Sequence, residues 1–275
     1  MYCGTRLTKE QLAAEPPAAQ EADEDRAAYY DRAVSRLGWC IKNFGGYQKK
    51  IMRDVFFEAF ETYETGCAPV IQELARGVAP EQQTQLLGRA AAAMLDELEA
   101  GWQKKGDMED EKIVLAIFFV PMVRKQQLPI SEEFVTILQK QWVERYPKSP
   151  FYLGDYESIS GGFRKKFLGL CFITTAVCQE LGKPDDCEEL TAFRAFRDGY
   201  LRSQPDGEAL IREYYNIAPG IVTCINTCSD RHASYARIRE EYLAPCYQDL
   251  LAGRNESCKA RYVRMVRDLE REYLS

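Results

Sequence analysis

Side chains able to do chemistry gather between positions 171 and 232 of this chain. Cys171, Thr174, Thr175 and Cys178 are spaced so that a helix would line them along one ridge, because residues three, four and seven apart lie together. Phe193, Arg197, Tyr200 and Leu201 would form a second ridge, with Arg194 and Asp198 at the spacing of a helical ion pair. A guanidinium brought against Cys171 lowers the thiol's pKa and makes a thiolate nucleophile. On this reading the catalytic set is Cys171, Arg194, Arg197 and Asp198, and Thr174, Thr175, Tyr214 and Tyr215 bind a peptide or acyl substrate. Packing explains the same residues. Small Cys and Thr let helices approach, an Arg–Asp fork locks them, and tyrosines bury their rings while bonding through their hydroxyls.

Cys224, Cys228 and His232 make a second constellation, C-x3-C-x3-H. Successive steps of four would place three soft donors on one helical face, and Cys187, Cys246 or Cys258 could supply a fourth for a tetrahedral metal. The alternative is a core stripe of Ile221, Ile225 and Cys228, with His232 at a solvated helix end. Outside that triad no cofactor is expected. A third feature, GGFRKKFLGL from Gly161 to Leu170, offers glycine amides beside Arg164, Lys165 and Lys166, suited to a phosphate. A solvated helix start with Phe163 and Phe167 packed inward is the better reading.

Composition removes several classes. His232 is the only histidine, so multi-histidine zinc hydrolases and two-histidine iron sites are excluded. Neither G-x-x-x-x-G-K-[ST] nor a helix-opening G-x-G-x-x-G occurs, so no phosphate cradle of those kinds is present. The formal net charge of -6 gives no overall field for nucleic acid, and no such partner is expected. The longest apolar run, Ile113 to Val123, is about half of the roughly 20 residues needed to span a bilayer. The first ten residues carry no export pattern, so a cytoplasmic location is expected, where the ten cysteines would stay reduced.

Periodicity is helical throughout. Tyr29, Ala33, Leu37 and Ile41 recur every fourth residue, and similar stripes run through Ile51 to Tyr63, Leu86 to Trp102 and Phe134 to Val143. Glu109 to Arg124 turns apolar on all sides, as a central helix does, with Pro121 expected to kink its last turn. No hairpin signal occurs. The expected fold is therefore all-α, an irregular multi-helix bundle of about ten helices without a sheet. Residues 1–25, with Pro16 and Pro17, read as a mobile acidic tail. Regions 26–150 and 151–275 meet at the turn-rich stretch 146–162, as two helical regions or one continuous domain.

The blocks CFITTA (Cys171–Ala176), Phe193-Arg194 with Phe196, Arg197, Asp198 and Leu201, then Gly207, Tyr214, Tyr215, Ala218 and Pro219 resemble the CFI-box, a C-terminal region of many otherwise unrelated bacterial proteins. The resemblance implies a bacterial origin. It departs from the usual pattern in the insertion QELGKPDDCEEL and in the roughly 50 residues that follow the box. By elimination the expected function is a protein-binding or scaffolding module with a protein or peptide partner, and homo-oligomerisation is open. The alternatives are a cysteine-dependent enzyme using Cys171 and a cysteine-rich redox or metal sensor. A deep concave pocket enclosing Cys171 and Arg197 would mark an enzyme, and a flat exposed apolar patch a scaffold.

Overall fold

Helical periodicity without strand signals gives helices that bury one stripe each against their neighbours. The computed structural model describes residues 17–164 and 171–275, without the side chains of residues 17–24 and 105. It is all-α: 80% helical, with 11 helices and no strand among the described residues. Helix α1 spans Pro17–Leu37, α2 Phe56–Gly77, α3 Gln83–Gly101, α5 Ser131–Arg145, α6 Tyr156–Arg164 and α7 Phe172–Glu180. Between α3 and α5, α4 runs through Lys105–Val114, a π turn at Leu115–Phe119 and Val120–Lys125. The chain then adds α8, Glu188–Phe196 with a π turn at Arg197–Leu201, and α9, Gly207–Cys228. Last come α10, Arg231–Ile238 with a π turn at Arg239–Leu243 and Ala244–Leu251, and α11, Asn255–Tyr273. None of the described helices is long and apolar enough to cross a membrane.

The tail expected over residues 1–25 is corrected at its end, because α1 already begins at Pro17. Proline is compatible with a first helical turn, where its missing amide has no partner to lose. Residues 1–16, including Cys3, lie outside the described residues. Interior prolines break fewer helices than their number suggests. Pro69 and Pro219 sit inside α2 and α9, each of which the sequence reads as two pieces. In α4 and α10 the proline, Pro121 or Pro245, follows the π turn by two residues. A proline cannot donate to the carbonyl four residues back and its ring crowds that group. The wider π turn, which contains that carbonyl in both helices, accommodates the conflict.

Helix α4 is buried on every side from Val114 to Val123 and forms the centre. The two halves of the chain share a continuous apolar core around it. Phe56 of α2 stacks on Phe163 of α6 at 4.3 Å between ring centroids. Arg53 N donates to Asn216 O at 3.0 Å and Tyr152 N to Thr227 O at 2.7 Å, so α9 is tied to both the segment before α2 and the connector before α6.

Candidate active-site cleft

Helices α7 and α8 form an antiparallel hairpin. Residues 171 to 178 place small and apolar side chains inward: Cys171, Ile173, Thr174, Val177 and Cys178 are all buried, while Phe172, Thr175 and Ala176 are only half-buried. Gly182, with φ +68°, ends α7 in a left-handed cap. Lys183 N donates to Cys178 O at 2.9 Å and Gly182 N to Gln179 O at 2.9 Å, which reverses the chain. At the open end of the hairpin Cys171 meets Arg197.

Arg197 is 7% exposed and Cys171 3%. Its Nε and Nη2 form a fork on Asp198, at 2.8 and 2.7 Å. Nη1 donates to Cys171 Sγ at 3.5 Å and to Tyr215 Oη at 3.1 Å. Tyr214 Oη accepts from Ile173 N at 3.0 Å. Thr174 and Tyr262 share a hydroxyl contact of 3.3 Å.

The expected Arg194–Asp198 pair does not form. The π turn begins at Arg197 and adds a residue to the turn, which rotates Asp198 off the face of Arg194. Arg194 instead bonds the Asp185 carboxylate and carbonyl, each at 2.7 Å.

The expected thiolate is also corrected. Burial pushes the Cys171 thiol up, and the opposing pull of Arg197 and Arg194 does not overcome it. Two causes combine: Cys171 is buried, and the fork on Asp198 already satisfies much of the guanidinium's charge. That same fork holds the Asp198 carboxyl below its ordinary value. The resting thiol is neutral.

Beside Cys171 and Arg197 a cleft opens, walled by Phe193, Phe196, Leu210, Tyr214 and Val266. The Glu213–Arg267 ion pair, 2.7 Å at Nη2, stands at its half-exposed rim. The cleft holds about 620 Å³ of empty space counted out to its mouth. It is a narrow apolar slot. The sequence reading missed the contributions of Leu210, Tyr262, Val266 and the rim pair. Tyr262, Met265, Val266 and Leu269 of α11 do recur at helical spacing, which signals burial but not what is buried against.

Cys224, Cys228 and His232 do not converge, which corrects the metal expectation. Helix α9 stops at Cys228, Ser229 is extended, and Asp230 caps α10 by accepting from Ala233 N at 3.1 Å. The cysteines stay buried, with Cys224 against Tyr273 O and Cys228 against Thr227. His232 is exposed and turns Nδ1 to Glu180, which also pairs with Arg231 at 2.9 Å. Among the described residues no group of three or more His, Cys, Asp or Glu could hold a metal ion.

Of the run from Gly161 to Leu170, Arg164 pairs with Glu157 at 3.2 Å and lies over the Tyr156 ring. Residues 165–170, including Lys165 and Lys166, lie outside the described residues. Gly161 and Gly162 border a wider polar groove with Gln179, Glu180, Asn226 and Arg231. Comparison with protein-family models, curated proteins and solved structures found no match to this chain.

Proposed function

We propose that the protein is a binding module that takes a short aliphatic group, from an acyl chain or a peptide side chain, into the Cys171 cleft. One observation carries this reading. Cys171, Phe193, Phe196, Arg197, Leu201 and Tyr214 come from all three blocks that resemble the CFI-box, and all six line the same slot. The resemblance, and the bacterial origin it implies, remain part of the proposal. A broad scaffold surface has less support, since among the described residues only four large apolar side chains, Trp39, Tyr152, Leu181 and Leu251, are exposed.

Chain length is the readout. N-butylmaleimide is expected to alkylate Cys171 of the folded protein about tenfold faster than N-methylmaleimide, after correction for their rates with glutathione, because the added methylenes are buried in the slot. Leu210→Trp should abolish the preference. Protection by ethyl butyrate or by N-acetyl-leucine amide would tell an acyl source from a peptide one. Equal corrected rates in the unaltered protein would end the proposal.

A second reading, acyl transfer through Cys171, is favoured by the Arg197 Nη1 contact to Sγ. If the guanidinium acts on the thiol, Arg197→Met removes a group that pulls the thiol's pKa down. Alkylation of Cys171 near pH 8 should then slow severalfold, and an unchanged rate would remove that role.

A further inference from the structure

The slot beside Cys171 is apolar along its walls but not at its mouth. On α9, Leu210, Glu213 and Tyr214 share one face, and on α11 Val263, Val266 and Arg267 do the same, so each wall carries its charged residue within about a turn of apolar ones. The two charged residues meet. Arg267 Nη1 and Nη2 fork onto both oxygens of Glu213, 2.7 Å at Nη2, and Nη1 also reaches Glu270 Oε2 at 3.1 Å. One guanidinium therefore serves two carboxylates. Deeper in, Arg197 is matched by Asp198, and Arg202, 3.9 Å from Asp198, is matched by Glu208 at 3.0 Å. The charged groups that line the slot, taken with their direct partners, thus leave one negative charge in excess, and it lies at the mouth. A carboxylate placed there would oppose Glu213 and Glu270 and find both terminal nitrogens of Arg267 already bonded. An ammonium would find carboxylate oxygens, which can accept further hydrogen bonds.

We propose that the ligand of the slot is the N-terminal residue of a peptide, its aliphatic side chain seated against Leu210, Tyr214 and Val266 and its α-ammonium on Glu213. The inference rests on the Cys171 slot being an aliphatic binding site, and it selects among the groups such a site could take. In an N-terminal residue the ammonium and the side chain leave the same carbon, which suits a carboxylate standing one turn from an apolar wall. The carbonyl that follows is a neutral amide in a peptide, whereas in a free amino acid it is a carboxylate that Glu213 and Glu270 repel. An acyl chain from an ester or thioester brings no cation and gains nothing from the rim. Glu213 is then a specificity-determining residue, choosing a free N-terminus over an internal or acetylated one. Both members of the rim pair are nearly half exposed, so the discrimination is modest and falls with salt.

The test uses the full chain at low ionic strength and about pH 6.5, where an α-amino group is protonated. Alkylation of Cys171 by N-butylmaleimide reports whether the slot is occupied. Leu-Gly-Gly amide is expected to protect Cys171 at about one-third of the concentration that N-acetyl-Leu-Gly-Gly amide needs, and free leucine to protect no better than the acetylated peptide. The gap should close in about 1 M KCl, where the screening length is roughly 3 Å. Glu213→Gln should close it too while both peptides still protect, which shows the slot intact. Equal protection by the free and acetylated peptides, or a gap unchanged in Glu213→Gln, overturns the proposal and leaves the aliphatic slot standing. Free leucine as effective as Leu-Gly-Gly amide would overturn the choice of a peptide. Protection by neither peptide removes the slot reading and this inference with it.

Discussion

Gly220→Ala should cost at least about 3 kcal/mol of stability and lower the melting temperature by about 6–12 °C. A Cβ at position 220 would overlap the Ile51 carbonyl oxygen and lie 3.0 Å from the carbonyl carbon. Both are backbone atoms, so no side-chain rotation relieves the clash. The segment cannot easily retreat either. One turn earlier on α9, Asn216 accepts Arg53 N at its carbonyl and Asp54 N at its Oδ1, each at 3.0 Å. Gly88→Ala within α3 is the matched control. Its Cβ would meet only Gln141 Nε2, at 3.9 Å, so better helix propensity should leave stability equal or raised by up to ~1 kcal/mol. Thermal unfolding of the two variants decides the matter: a Gly220→Ala protein that melts like its parent would mean that α9 does not cross the Ile51 segment this closely.

Alkaline pH should destabilise the protein through its thiols. Burial pushes Cys171, Cys224 and Cys228 up, Cys228 to about 11. Each keeps its proton in the folded chain at a pH where the unfolded chain, with a thiol value near 8.5, has released it. The folded form then binds more protons, so its stability falls as pH rises. The contribution is whole below about pH 8.5 and drains away toward each folded value, at about 1.4 kcal/mol per pH unit per thiol. Cys228 alone costs up to about 1.4 kcal/mol per unit between about pH 9 and 11, and Cys171 and Cys224 act in the same direction. Tyr63 and Tyr214, also raised by burial, add to the slope above about pH 10. Urea midpoints measured under reducing conditions from about pH 7 to 10.5 should therefore drop steeply past 9. Cys228→Ala should make that drop shallower by about one proton. A midpoint constant to pH 10 would show that these thiols are hydrated.

Helical stripes were legible because apolar periodicity is a local property, and the all-α class and the buried Val114–Val123 stretch of α4 follow from it. Prolines misled at Pro69 and Pro219, through which α2 and α9 run unbroken. The nearness of Cys171 to Arg197 was suggested by the two ridges, but the partners of those ridges were not. A one-residue insertion into a turn of α8 moved Asp198 from Arg194 to Arg197, and a break at Ser229 parted His232 from Cys228.

What the amino-acid order alone determined is where the chain coils and which stripe of each coil avoids water, since both depend on neighbours within about a turn. Tertiary structure alone decided the burial of Cys171, the slot beside it and the parting of His232 from Cys228. Each of these depends on how much water is excluded and on which distant helix excludes it, and that is a property of assembled surfaces rather than of spacing along the chain.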